Sequence, residues 1–189
     1  MGNKKVRALV ILAEGAEEME LVIAVDVLRR AGVDVVLAGL AGIEPTQCSR
    51  GVRILPDIAL TDVEGTFDAI VLPGGKSGAN HLAASPLVGE WLRSQASAGR
   101  TVAAICAAPI ALRAHGVFPG RRMTCHPSVN EIVSTHGILT EGAVVADGVL
   151  ITSQGPGTSF AFALALVERL CGRAVAEQVR APMILALEA

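Results

Sequence analysis

Aromatic side chains are scarce in this chain of 189 residues: four Phe, one Trp and no Tyr make up 3% of it. With so few large rings, the core has to be filled by Ala, Val, Leu and Ile, which suits closely packed helix-on-sheet layers. Basic charge is not in excess. Sixteen Lys and Arg stand against eighteen Asp and Glu, a net charge of −2, so the electropositive face that a polyanion requires is missing and no direct nucleic-acid binding is expected. No apolar run approaches the ~20 residues that cross a bilayer; the longest uncharged apolar stretch, Thr101 to Leu112, is too short, and no membrane association is expected. The apolar run Ala8 to Ala13, behind Lys4, Lys5 and Arg7, stops at Glu14, too soon for a secretory signal. Val6 stands where a myristoylation pattern on Gly2 needs Ser or Thr, and none of Asn3, Asn80 or Asn130 opens a glycosylation sequon. The expected location is the cytoplasm. C-x-x-C is also absent: Cys48, Cys106, Cys125 and Cys171 are widely spaced, so neither a metal site nor a thioredoxin-type pair is signalled, and free thiols are expected.

A chain of this length forms one domain, residues 1–189, with no linker, repeat or low-complexity tract. Val6 to Ala13 reads as a strand and Ala16 to Ala31, stopped by Gly32, as a helix. Val33 to Leu40, Asp68 to Leu72 and Thr101 to Ile105 are further apolar runs of the kind buried on both faces of a parallel sheet. Helices are expected over Pro86 to Ser97, Ala107 to His115 and Pro127 to Ser134, giving β-α-β alternation, an α/β doubly wound sandwich with its site along the strand C-termini. A hairpin is expected at Asp147-Gly148, between runs Val144–Ala146 and Val149–Thr152. Gly155-Pro156-Gly157 then opens a helix, Phe160 to Leu170. A last helix covers about Ala174 to Val179, and the apolar tail Met183 to Leu187 needs a covering surface, either the domain's own or a second subunit's.

Cys106 is the most pointed feature. It follows the buried run Val102-Ala103-Ala104-Ile105 and precedes Ala107-Ala108-Pro109, a helix start with Pro in its first turn. Such a strand-turn-helix elbow lifts a side chain above the sheet edge, and the N–H groups of the helix start lower a thiol's pKa. The plainer alternative is a small buried hydrophobe. Glu20 lies in Met19 to Leu28, a segment apolar on almost every face, and has no basic neighbour one turn away. A buried carboxyl without a local partner has a raised pKa and suits proton transfer; the alternative is a distant pairing, for instance with Arg50 across a dimer. Asp26, by contrast, has Arg29 and Arg30 at helical spacing and reads as a surface ion pair. His126, in Thr124-Cys125-His126-Pro127, is the best imidazole candidate, whereas His81, His115 and His136 have surface-like neighbours. Cys125 is expected to point away. Gly74-Gly75-Lys76-Ser77-Gly78 and Gly155-Pro156-Gly157 match no nucleotide-binding pattern. Gly75 could instead offer a backbone N–H, with that of Ala107, as an oxyanion hole, or form a simple turn.

The strings LVILAEGAEEMEL, LAGLAG, QCSR, VLPGG, AAICAAPIAL, CHP and SQGPGTSFAFALA, in this order, resemble the parkinsonism-associated deglycases (DJ-one) of the PfpI superfamily over about residues 5–185. The resemblance implies a flavodoxin-like three-layer sandwich, with a mostly parallel central sheet, helices on both faces and an extra C-terminal helix from Ala174 onward. It implies Cys106 as nucleophile, Glu20 as the protonated carboxyl beside it, His126 nearby and Gly75 and Ala107 as oxyanion donors. It also implies a homodimer without cofactor, acting on small dicarbonyls such as methylglyoxal and glyoxal and on glycated proteins. The activities are those of a cysteine-dependent deglycase and glutathione-independent glyoxalase, with an oxidative-stress response. The alternative within the family is a non-catalytic redox sensor and chaperone working through a Cys106 sulfinate, and the nucleus or mitochondrion joins the cytoplasm as a location. Relative to that pattern, Ala108 replaces Gly, Cys125 replaces Thr, Leu55 replaces an oxidisable Cys, and Gln154 replaces an Arg, which removes a cation from the expected pocket. A glutamine amidotransferase would need a His-x-Glu pair after His126, and none follows.

Overall fold

From Ala8 to Leu12 every residue of the first strand is buried, so this segment can only sit inside a sheet covered on both faces. The computed structural model, which describes residues 5–185, places it there. In chain order the elements are β1 (Arg7–Leu12), α1 (Glu18–Arg30), β2 (Asp34–Gly39), β3 (Thr46–Gln47), β4 (Arg53–Ile54), β5 (Ile58–Ala59), β6 (Ala69–Leu72), α2 (Lys76–Ala84), α3 (Pro86–Ser97) and β7 (Thr101–Ile105). They continue with α4 (Pro109–Ala114), β8 (Arg122–Met123), α5 (Asn130–Val133), β9 (Ile138–Leu139), β10 (Val144–Asp147), β11 (Leu150–Ser153), α6 (Ser159–Cys171) and α7 (Arg173–Arg180).

The main sheet runs β10-β11-β7-β6-β1-β2-β5. All neighbours are parallel except the edge pair β10 and β11. Helix α6 packs against both α1 and α7, and α2 packs with α3 and α4, which makes the α/β sandwich flavodoxin-like. Because β7, β6 and β1 are adjacent and parallel, the loops leaving them gather at one edge of the sheet. The aromatic shortage shows in the packing: Phe67 and Phe162 are the largest fully buried side chains. Phe67 meets Trp91 edge-on at 5.8 Å and lies 4.4 Å beneath the Arg7 guanidinium.

The structure departs from the sequence expectations in four places. Gly74 to Gly78 is not a loop throughout, since α2 begins at Lys76 and includes Gly78. A Cβ on Gly78 would lie 2.8 Å from the Ala16 Cα, so this helix start is pressed against the loop after β1, and only glycine allows the approach. Pro127 to Ser134 is a 3-10 turn at Pro127–Val129 followed by the short α5. The hairpin turns one residue later than expected: Asp147 pairs with Leu150, and Gly148, at φ +63°, takes the first corner with Val149 after it, as in a type II′ turn. Asp147 is thereby freed to accept from the Arg122 N–H at 2.9 Å. The tail ends in a turn at Ala181–Met183, and its last residues to Leu187 lie outside the described residues, as do Gly2, Asn3 and Lys4.

Candidate active site

Cys106 follows the last residue of β7 and carries φ +63°, a left-handed conformation that costs a non-glycine residue on the order of 1 kcal/mol or more. Two hydrogen bonds hold it there. Its N–H donates to the Ser153 carbonyl at 2.9 Å, and its carbonyl accepts from the His126 N–H at 2.8 Å. The backbone is thus pinned from β11 on one side and from the loop after β8 on the other. The expected elbow is present, followed by Ala107 and Ala108 and then by α4 from Pro109.

Opposite the sulfur stands Glu20, fully buried in the first turn of α1. Its N–H donates to the Glu17 carboxylate that caps the helix, at 2.9 Å. Its own Oε2 accepts from the Gly74 N–H at 2.7 Å, and the other group it meets is the Cys106 thiol. Written as an anion, its Oε1 is a buried oxygen with no donor; a proton on Oε1 turns it into a donor toward Sγ. Burial pushes the carboxyl up to about 7, against the hydrogen bonds from Cys106 and Gly74. Gly74 keeps the two groups together, because a Cβ on it would lie 2.5 Å from the Cys106 Cβ and 2.7 Å from Glu20 Oε2. Within the chain Glu20 makes no pair with Arg50. The backbone N–H of Arg50 serves Glu18 instead, at 2.8 Å.

The thiol corrects the sequence expectation of a lowered pKa. Burial, the Glu20 charge and the hydrogen bond to Glu20 push Cys106 up to about 12, against downward pulls from the Gly75 and Ala107 N–H groups. Those two N–H groups are the expected oxyanion donors, and they converge on the sulfur itself. Both of the upward causes that come from Glu20 belong to its ionised form. Once Glu20 is protonated it donates to sulfur, and the direction for the thiol is downward from that value. The pair is therefore a coupled one, sharing protons between carboxyl and sulfur.

Cys106, Gly75, Ala107 and His126 line one open cavity of about 520 Å³, with Glu14, Glu17, Cys48, Arg50, Lys76 and Ser128 also in its wall. His126 bonds through Nδ1 to Ser128 rather than to Cys106. Glu20 lies behind Gly74 and Cys106 and is not part of the exposed wall. Gln154, whose Arg-to-Gln replacement was expected to matter here, is not in the wall either, and Arg50 and Lys76 supply its cations. Cys125 points away as expected, toward Asn130 Oδ1 at 3.3 Å. Cys48, read from the sequence only as a free thiol, and Ser49 and Ser128 were not expected at the site. Burial and the Glu18 and Glu17 charges push the Cys48 thiol up to about 11. Ser49 donates to Glu18 at 2.8 Å, which anchors the loop that carries Arg50. Among the described residues no three His, Cys, Asp or Glu side chains gather as a metal site, and no helix is long and apolar enough to cross a membrane.

The fold recurs in known proteins, and the chain resembles them over almost its whole length. The chain is 54% identical to the Parkinson disease protein 7 homolog of Danio rerio, over 95% of this chain and 97% of that one. It is 42% identical to the glutathione-independent glyoxalase DJR-1.2 of Caenorhabditis elegans, over 98% of this chain and all of that one. The crystal structure of Drosophila melanogaster DJ-1beta superposes with a TM-score of 0.95 at 49% identity, covering 97% of this chain and 100% of that one. The family model described as DJ-1/PfpI matches residues 6–169, which takes in every strand of the sheet and all the residues around Cys106, and the chain belongs to the DJ-1/PfpI family.

Proposed function

We propose that this chain is a cysteine-dependent glyoxalase and protein deglycase, with Cys106 as nucleophile, Glu20 as the group that moves protons, and Gly75 and Ala107 as donors to developing oxyanions. The observation that carries the reading is the Glu20 carboxyl, raised to about 7 and in contact with a thiol on a strained elbow. A relative named as a glutathione-independent glyoxalase supports the enzymatic class. The Cys106 thiolate adds to the aldehyde carbon of methylglyoxal, forming a C–S bond and an alkoxide beside the two N–H groups. Protonated Glu20 neutralises the alkoxide. Its carboxylate then takes the hydrogen of that carbon and returns it to the neighbouring carbon, while the hydroxyl proton passes from the first oxygen to the second. The aldehyde carbon is oxidised and the ketone carbon reduced, so no external oxidant enters. Water cleaves the resulting lactate thioester, which gives lactate and one proton to solvent and restores the starting pair. Glyoxal follows the same path to glycolate, and adducts on Cys, Lys or Arg side chains enter it once they revert to the aldehyde, releasing the side-chain thiol or amine with its proton and leaving the same carbonyl carbon to the sulfur.

The test is lactate formation from methylglyoxal by the purified protein and by Cys106→Ser. We expect loss of turnover with the thermal transition unchanged; undiminished lactate from the serine variant refutes the reading. A second reading, a redox sensor and chaperone, draws on the unpartnered Glu20 Oε1, whose proton would stabilise a Cys106 sulfinate. It predicts that mild peroxide adds two oxygens to Cys106 before the other cysteines; even oxidation of all four counts against it.

A second copy of the chain is the proposed partner. Met19 and Val22 on α1, Phe160 on α6 and Ile184 are exposed apolar side chains. Val22 and Phe160 line a groove of about 380 Å³ together with Pro182 and Met183. An apolar face of this kind is covered at a dimer interface.

A further inference from the structure

His126 is followed by Pro127, which has no N–H, so the first backbone donor of the 3-10 turn that starts there belongs to Ser128. That donor needs an acceptor, and the His126 ring supplies it: the Ser128 N–H donates to Nδ1 at 3.2 Å, and the Ser128 hydroxyl lies 2.8 Å from the same nitrogen. The histidine therefore acts as the N-cap of its own turn, a task usual for Ser, Asn or Asp. A capping nitrogen must carry a lone pair. An Nδ1–H tautomer would set its hydrogen against that of the Ser128 N–H, which points at the same nitrogen, and the turn would lose its cap. In the neutral ring the proton consequently sits on Nε2. The ring is also confined on its Cδ2 edge, where a Cβ on Gly155 would lie 3.6 Å away. Nε2 bonds to no protein atom among the described residues, and His126 lines the cavity with Cys106.

We propose that Ser128 is the positioning residue that fixes His126 as the Nε2–H tautomer, so that the imidazole offers the substrate's carbonyl oxygen a hydrogen bond and does not abstract the proton. The inference rests on the glyoxalase reading and divides the chemistry: proton abstraction falls to Glu20 alone, and His126 polarises the carbonyl that Cys106 or the enediol step requires.

The experiment is a long-range proton–nitrogen NMR correlation of the ring nitrogens in uniformly nitrogen-15-labelled protein, at mildly alkaline pH, with His126 assigned by its loss in His126→Gln. The expected signature is a protonated Nε2 and a bare Nδ1. Ser128→Ala keeps the backbone N–H and removes the hydroxyl 2.8 Å from Nδ1; in methylglyoxal turnover it should lower kcat about 5-fold, the value of the one neutral hydrogen bond lost, with little change in KM, and shift the tautomer ratio, and Ser128→Thr should restore both. A protonated Nδ1 in the unmodified protein overturns the proposal. So does a Ser128→Ala variant with unchanged kcat and unchanged ring signals. If the unmodified protein shows the Nε2–H signature but forms no lactate, the glyoxalase reading fails and the donor role falls with it, while the tautomer assignment stands.

Discussion

Replacing Glu20 by Gln separates two functions that one carboxyl combines. In the protein, Oε2 accepts from the Gly74 N–H at 2.7 Å and Oε1 has no hydrogen-bond partner, while the carboxyl interacts with the Cys106 thiol. A glutamine can keep its carbonyl oxygen on Gly74 and turn its NH₂ toward the sulfur, a fixed donor in place of a titrating one. After burial, the two causes that raise the Cys106 thiol to about 12 are the Glu20 charge and the hydrogen bond to it. Two unit charges about 4 Å apart at an effective dielectric of about 20 interact by about 4 kcal/mol, or about 3 pH units. Glu20→Gln should therefore lower the Cys106 titration by about that amount, since burial is unchanged and the Gly75 and Ala107 N–H groups remain. Proton transfer is lost at the same time, and the rate of lactate formation should drop by about 10²–10⁴. Far-ultraviolet thiolate absorbance against pH, with Cys106→Ser subtracted, reads the first effect. Burial raises Cys48 and Cys125 to about 11, close to Cys106 in the unmodified protein, so the Cys106→Ser subtraction is what isolates its signal there. A Gln variant whose sulfur titrates at or above the original pH, or one that retains full turnover, would show that Glu20 is not coupled to the sulfur as described.

The pH dependence of stability follows from the same carboxyl. Glu20 is raised from 4.5 to about 7, so the folded state holds a proton that the unfolded state has released. That stabilisation is complete below about pH 4.5 and is lost as pH rises through 7; each unit is worth about 1.4 kcal/mol, about 3 kcal/mol in all. Urea unfolding at pH 5 and pH 8 should show the difference in Glu20 protein and a flatter profile in Glu20→Gln; equal slopes would remove the linkage. Gly74→Ala forces a methyl group to within 2.5 Å of the Cys106 Cβ and should cost about 1–3 kcal/mol by overpacking, with the thiol and carboxyl driven apart, visible as an altered thiolate titration. Val22→Asp places a charge on the exposed face of α1 and should shift sedimentation from dimer to monomer without changing the circular dichroism; a dimer that persists unweakened would move the interface elsewhere.

The parts of the fold legible in the sequence are those where burial is complete. β1, β6, β7 and β2 read as unbroken apolar runs because they are interior strands of a parallel sheet, and α3 reads from Pro86 to Ser97 because Ser85 caps it and Pro86 opens it. Helix α2 was illegible because Gly78, which looks like a loop residue, is required by its close approach to Ala16. The two-residue ladders β3–β4 and β8–β9 are too short to show any period. At the site, the elbow and the partnerless buried carboxyl were both readable as separate oddities. Their meeting came only through the family resemblance, and the direction of the thiol's titration was missed: a sequence displays the helix start after Cys106, but not what the charge of a carboxyl on α1 does to the sulfur. The capping of Ser128 by His126 escaped for a similar reason, since histidine is rarely read as an N-cap.

Gly74, Cys106 and the helix bearing Glu20 follow β6, β7 and β1, neighbours in the sheet, yet Gly74 and Glu20 are separated by 54 positions along the chain. A slip of one residue between β6 and β7 would carry Gly74 away from the elbow and leave the sulfur facing a side chain. Until all three strands lock in register, the thiol has neither its carboxyl neighbour nor its two amide donors, so the proton-sharing pair exists only in the native state.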